Sequence, residues 1–459
     1  MKQRKFEVTC ALLLGAAQLC VQTAFDAQGF VLESIIHSIH AREPQRIGLY
    51  DGYYGQAVIY ASFLSTCLVT PSFLNVAAPK VVLVISAFCF AAFPIGFLFL
   101  NSYYFYFSTL LLGIGKAFFA LGQTSYLTAH STLQSIETNV SLSWAIGCSS
   151  FILGALILAT ITKLSSVETT EIANGSIEPH KFAREFSDVE IRLLAIVLLG
   201  VAALAVIITF FLPSKDVDDC IESSKKHGNF LEELKLTCST FLTPKIVPLI
   251  PLTMLCGFNV SFFLSIFPTA MNFTKHNSDL IYISAVYRFG AGVGNVGMGV
   301  LVSRLSKRIK GFGLKPTMLI GALSVIAYCA LVHVSTPFDA LTRPTSEEPL
   351  LFYQSYPLIF LIAILCRISD CCINGVRSVI CALVLPSRRA QSYAITRMYH
   401  SAACVIGFFF SPVTPLYFFT IGLPALSVFA TCIFFRVADE TRKTEVSFAQ
   451  ESIKDAETI

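Results

Sequence analysis

A charged side chain is costly in hydrocarbon, so ionisable residues inside long apolar runs are the first candidates for chemistry. Three such sets stand out. Gln18, Gln22, Asp26 and Glu33 follow one another in the first apolar run at steps of four, four and seven. That spacing puts them on one face of a helix, with Gly29 on the same stripe. Lys116 lies in Gly113-Ile114-Gly115-Lys116, with Gln123 seven residues on, and Arg367, Asp370, Asn374 and Arg377 define a third face by steps of three, four and three. Polar stripes of this kind line a cavity or form a helix–helix seam. The candidate set is therefore Gln22, Asp26, Lys116, Gln123, Arg367, Asp370, Asn374 and Arg377, with chemistry suited to holding a small polar or charged solute or to gating. Arg288, Arg397 and His400 are further ionisable residues in apolar runs; His400 reads as a proton carrier or as an uncharged, hydrogen-bonded imidazole.

The elements that must position these residues are membrane helices. The chain has 459 residues, 54% of them hydrophobic and 14% charged, with 40 Phe. Its mean hydropathy is +0.68. A soluble fold would carry about a quarter charged residues and has no place to hide so much apolar surface. A span needs about 20 mostly apolar residues. Candidate spans are 7–32, 51–73, 80–100, 103–128, 138–162, 191–212, 246–270, 279–303, 316–335, 356–385, 391–413 and 416–436. The expected fold class is all-α integral membrane, with about twelve transmembrane helices in two pseudo-symmetric six-helix halves. The domains read as 1–213 (first half), 214–245 (a polar cytoplasmic linker), 246–437 (second half) and 438–459 (a cytoplasmic tail).

Basic residues cluster on one side of these spans. Lys2, Arg4, Lys5, Lys80, the linker lysines, Arg304 to Lys315, Arg388, Arg389 and the C-terminal Lys and Arg make up the greater part of the 33. The positive-inside rule then puts both termini in the cytoplasm. With that orientation the sequons at Asn174 and Asn272 face outward and are candidate glycosylation sites, whereas those at Asn139 and Asn259 fall at or within spans. No feature selects the plasma membrane over an internal one. The 15 Cys are an odd number and lie mostly in apolar runs, so they read as small buried hydrophobes and not as metal ligands. No metal motif, cofactor motif, phosphate loop or nucleophile elbow is present, and a formal charge of +4 gives no reason to expect nucleic acid. The chain does not read as an enzyme. The partners these features lead one to expect are the lipid bilayer and a small polar solute.

Internal repetition supports the two halves. The segment Gly299-Val300-Leu301-Val302-Ser303-Arg304-Leu305-Ser306-Lys307-Arg308 is similar to the loop motif of the major facilitator superfamily, with Ser303 where an Asp is usual. The matching loop, Thr70 to Lys80, has lost nearly all of it. In a facilitator fold, spans one, four, seven and ten are the equivalent cavity-lining helices. An ungapped alignment of the halves sets Lys116 opposite Asp370 and Gln123 opposite Arg377. Lys116 and Asp370 could pair across the cavity and part when the halves rock. Lys116 could equally pair with Asp26 as structural glue, or snorkel toward a helix end.

Several stretches resemble the uncoordinated-93-like family of that superfamily, and its facilitator-domain protein 11 branch in particular. They are Thr23-Ala24-Phe25 with Gly29, Gly52-Tyr53-Tyr54-Gly55-Gln56, Thr70-Pro71-Ser72, Gly113-Ile114-Gly115, and Arg367-Ile368-Ser369-Asp370-Cys371-Cys372-Ile373-Asn374. In the last of these, Asp370 and Asn374 match the family pattern, while Arg367 and Ser369 replace glycines; Lys116 stands where the family is usually uncharged. The resemblance implies a facilitator fold and two kinds of activity: solute carriage, or regulation and trafficking of another membrane protein such as a channel or receptor.

Overall fold

The computed structural model describes residues 2–98, 100–172, 186–221, 223, 229–241, 243–308, 313–385 and 388–457, with no side-chain description for residues 2, 165–172, 300, 302–308 and 442–457. Among these residues the elements that cross the hydrocarbon are helical, as it demands: an α-helix satisfies its own backbone N–H and C=O groups where no water can. The first half comprises α1 (Lys2–Gly29), α2 (Leu32–Arg42), α3 (Asp51–Val76), α4 (Pro79–Leu98), α5 (Ser102–Ala129), α6 (Ile136–Cys148), α7 (Ser150–Ile172) and α8 (Asp188–Phe210). A linker helix, α9 (Phe230–Thr240), follows. The second half comprises α10 (Ile250–Ser261), α11 (Phe267–Phe273), α12 (Ile283–Arg308), α13 (Leu314–Ser335), α14 (Tyr356–Val384), α15 (Arg389–Phe410) and α16 (Leu416–Glu457).

Among the described residues ten spans are long and apolar enough to cross a membrane, α6 with α7 and α10 with α11 each counting as one. Helices α12 and α15, of 26 and 22 residues, are as long but less apolar, and occupy the places of the two remaining expected spans. Their lower hydropathy has a physical reason: α12 carries Arg288 and Asn295, α15 carries Arg397 and His400, and all four side chains turn inward to the seam between the halves. The first expected span divides at Phe30-Val31, where α1 stops and α2 continues to Arg42. The expected span 246–270 holds a π-helical turn at Phe262–Ile266 that joins α10 to α11. Such turns widen the helix and displace the side chains that follow.

Local chemistry sets several ends. The Asn101 side chain accepts from the Tyr104 N–H and caps α5, and the Ser187 hydroxyl does the same for α8 through Glu190. The seam between the halves is built where α3 lies along α15 and α7 lies along α12. Small residues let these helices approach. A Cβ at Gly154 of α7 would run into the guanidinium of Arg288, so only glycine leaves room for that side chain.

Candidate functional site

A cavity of about 2140 Å³ occupies the seam. All eight residues singled out above line it: Gln22 and Asp26 from α1, Lys116 and Gln123 from α5, and Arg367, Asp370, Asn374 and Arg377 from α14. The cavity reaches Ile221, Glu233, Gly313 and Arg389 on the linker face, and its lining includes no residue of the 43–50 or 336–355 connections. On that far face the halves are tied together. The Tyr53 hydroxyl donates to the Leu341 carbonyl at 3.1 Å, the Tyr50 hydroxyl to the Thr342 carbonyl at 3.3 Å, and the Asn272 amide to the Ser34 hydroxyl at 3.1 Å. Beneath them the rings of Phe30 and Tyr287 meet edge to face at 5.6 Å.

The charges inside are arranged differently from the pairing expected of Lys116 and Asp370. Asp370 is held on its own helix: Arg367 reaches its Oδ2 at 3.0 Å, and Asn374 donates to its Oδ1 at 2.6 Å. A partner three or four residues away bonds without crossing open space, so the nearer cation prevails. The expected alternative with Asp26 does not form as an ion pair either. Lys116 instead donates to the Tyr60 hydroxyl at 3.0 Å, with its ammonium 3.9 Å from the Phe25 ring centroid and 4.2 Å from that of Tyr60. Aromatic faces stabilise a cation that water no longer reaches. The carboxylate of Asp26 lines the cavity without a hydrogen bond among the described residues, within electrostatic reach of Arg288, Lys116 and Arg367. Gln22 and Gln123 line it likewise, without side-chain hydrogen bonds among those residues.

Aromatic rings, which the sequence patterns did not single out, complete the site. The Arg367 guanidinium lies between Phe151 of the first half, 4.4 Å from its centroid, and Phe263 of the second, at 4.7 Å. Arg288 lies over Phe30 at 5.2 Å and over the same Phe151 at 5.6 Å, and donates to the Ser150 carbonyl at 3.2 Å. Phe151 is thus gripped by two arginines from the opposite half. With forty Phe in the chain, no spacing marks the few that face cations. Arg288, Arg397 and His400 are all at the seam: Arg288 is fully buried, and the other two line the cavity.

Asn272, expected as an outward glycosylation site, is buried at the seam. Its side chain is 3% exposed, sits inside α11, donates to Ser34 and accepts from the Ser284 hydroxyl. A glycan has no room there in this conformation. Asn174, and the side chains of the loop motif from Val302 to Arg308, lie outside the described residues.

Linker helix α9 sits at the mouth. Its Phe230 ring packs edge to face on Phe73 of α3 at 5.6 Å, its Glu233 accepts from Gln391 of α15, and the carbonyl of Phe241 just beyond it accepts from Tyr399 at 2.9 Å. The linker therefore contacts both halves beside the opening.

The model of a family described as ion channel regulatory protein UNC-93 matches residues 43–435. The chain belongs to the UNC-93 family. Its relatives include the UNC93-like protein MFSD11 of Xenopus laevis, 23% identical over 451 residues that cover 93% of this chain and 95% of the relative. The corresponding protein of Xenopus tropicalis is 22% identical, with the same coverage. Among solved structures, this UNC-93 family member is similar in fold to the peptide transporter POT (TM-score 0.61, 11% identity, 95% of this chain and 94% of that one). It is also similar to the nucleoside transporter NupG (TM-score 0.59, 15% identity, 94% and 98%). The major facilitator superfamily transporter FucP is a third (TM-score 0.56, 10% identity, 95% and 99%). At these identities the likeness concerns the fold, which is that of the major facilitator superfamily.

Proposed function

We propose that this multi-pass protein carries a small polar or charged solute by alternating access, and that its linker face is cytoplasmic. The observation that carries the reading is the one-sided cavity. It is lined by polar residues of both halves, reaches the linker face, and is overlain on the other face by inter-half hydrogen bonds from Tyr50, Tyr53 and Asn272. Rocking the halves about the Phe151 contacts would expose the same residues to the opposite side. Asp26 and Lys116 then serve as solute-binding groups. Arg367, Asp370 and Asn374 form a rigid polar unit on α14 that a solute meets from the second half. The basic residues on the linker face support the orientation.

The test is flux through the purified full chain in proteoliposomes, screened over small polar solutes, beside Asp26→Asn and Lys116→Gln. Uptake that either substitution abolishes in a protein of unchanged melting temperature is expected. The family's description as ion channel regulatory protein favours a second reading, in which the chain binds and regulates another membrane protein. Absence of flux for every solute, together with stoichiometric co-purification of a channel or receptor, would select that reading and sink the carrier.

A further inference from the structure

The cavity holds more positive charge than its acids can balance. Lys116, Arg367, Arg377, Arg389 and Arg397 line the cavity against Asp26, Glu233 and Asp370. Of these acids, Asp370 is bound by Arg367 and Asn374, and Glu233 accepts from Gln391. Asp26 faces Arg288, Lys116 and Arg367. Arg377 and Arg397 have no carboxylate partner among the described residues.

Their surroundings are specific. Arg377 is fully buried, and none of its three guanidinium nitrogens makes a hydrogen bond. It lies over the ring of Tyr393, 5.6 Å from the centroid. Arg397 lies 5.3 Å from the centroid of that same ring and donates to the Tyr393 hydroxyl at 2.8 Å, while its Nε has no partner. Tyr393 and Arg397 are half-buried and line the open cavity. One turn along α15, His400 is 3% exposed with its Nδ1 unbonded, in the field of Arg377, Arg397 and Lys116. Its ring is 6.5 Å from that of Tyr60 in the first half, the residue to which Lys116 donates.

A fully buried and a half-buried guanidinium without a counter-charge are costly in a low-dielectric interior, and the cost falls when an anion supplies the missing partner. A guanidinium presents a planar fork of donors that matches a carboxylate or phosphate. We propose that Arg397, with Arg377 and His400 beside it and Lys116 opposite, forms a binding site for an oxyanion, the carboxylate or phosphate of a small organic solute. Phe25, Phe63, Phe151 and Phe263 in the cavity wall accept the apolar body of that solute. This inference deepens the carrier reading and rests on it for the solute's passage, but the binding site stands or falls by itself.

The experiment is thermal unfolding of the full chain in an uncharged maltoside detergent, titrated with benzoate, phenyl phosphate and the neutral benzamide. Both oxyanions are expected to raise the melting temperature saturably and benzamide to leave it unchanged. Arg397→Gln is expected to raise the half-maximal oxyanion concentration by about tenfold or more, the loss of a charge-assisted bidentate contact. Should Arg397→Gln fail to fold, Arg377→Met provides a separate reading: without ligand it melts above the wild type, because it removes a buried charge that lacks a partner. Equal responses to benzamide and benzoate, or no oxyanion response in the wild type, would overturn the site. A rise produced only when phosphatidylserine is added assigns the same cluster to a lipid headgroup. Oxyanion binding without flux in proteoliposomes keeps the site and removes the carrier. Flux of a neutral solute with no oxyanion response keeps the carrier and removes the site.

Discussion

Arg367 of α14 holds its guanidinium 4.4 Å from the ring centroid of Phe151 of α7, so a cation of the second half rests on an aromatic face of the first. Phe151 also receives Arg288. Phe151→Ala removes both contacts, each worth about 0.5–2 kcal/mol when desolvated. The variant is expected to melt several degrees lower, with Phe151→Trp retaining most of the wild-type stability. A Phe151→Ala protein as stable as the wild type would show that these contacts do not hold the halves together.

Gly154 and Arg288 should behave as a coupled pair. Gly154→Leu drives a side chain into the space of the guanidinium and is expected to cost at least the 1–3 kcal/mol of an overpacked core. Arg288→Ala should relieve it. A double-mutant cycle by thermal unfolding checks this, and simple additivity would refute the coupling.

Two hydroxyls contribute to the far-face seal. Tyr50→Phe with Tyr53→Phe removes the bonds to Thr342 and Leu341, at about 1 kcal/mol each, enough to shift an opening equilibrium roughly 30-fold. Spin labels at Glu43 and Arg343, both on that face, should then report a longer distance in a larger share of molecules. An unchanged distance distribution would place the seal elsewhere.

Glycosylation separates the two candidate sequons. In cells, Asn174→Gln is expected to remove the glycosidase-sensitive mobility shift, and Asn272→Gln to leave it unchanged. A shift lost with Asn272→Gln would contradict the burial of that amide, and no shift at Asn174 would count against an outward 173–185 connection.

His130 caps the linker-side end of α5, stacked on Tyr126 at 4.0 Å. Burial lowers its pKa below the usual 6.5, although the Tyr126 carbonyl at its Nδ1 works the other way. The folded chain therefore prefers the neutral ring. Its contribution to stability is complete above pH 6.5 and is lost as the pH falls below that value toward the folded-state pKa. Melting temperatures from pH 7.5 to 5 should fall more steeply for the wild type than for His130→Gln; parallel curves would remove His130 from the acid response.

The helices, the halves and the polar lining of the cavity were legible because each depends on composition and period alone. Polar residues on α1, α5 and α14 cannot face lipid cheaply, so their stripes had to meet inside. Pairing was not legible. Matching Lys116 with Asp370 by repeat symmetry ignored Arg367, one turn from Asp370 on the same helix. The aromatic partners of Lys116, Arg288 and Arg367 carry no signature of their own. Asn272 satisfies a sequon, yet α11 extends past the expected end of its span and draws that residue into the seam.

Both tyrosines that close the far face donate to main-chain carbonyls, not to side chains. The acceptor is present whatever residue stands at positions 341 and 342. These two contacts are therefore encoded in one partner only, unlike the side-chain bond from Asn272 to Ser34. Substitutions in that connection would be tolerated so long as its path is kept, and comparison of sequences would find no compensating change opposite Tyr50 or Tyr53 to betray the contact.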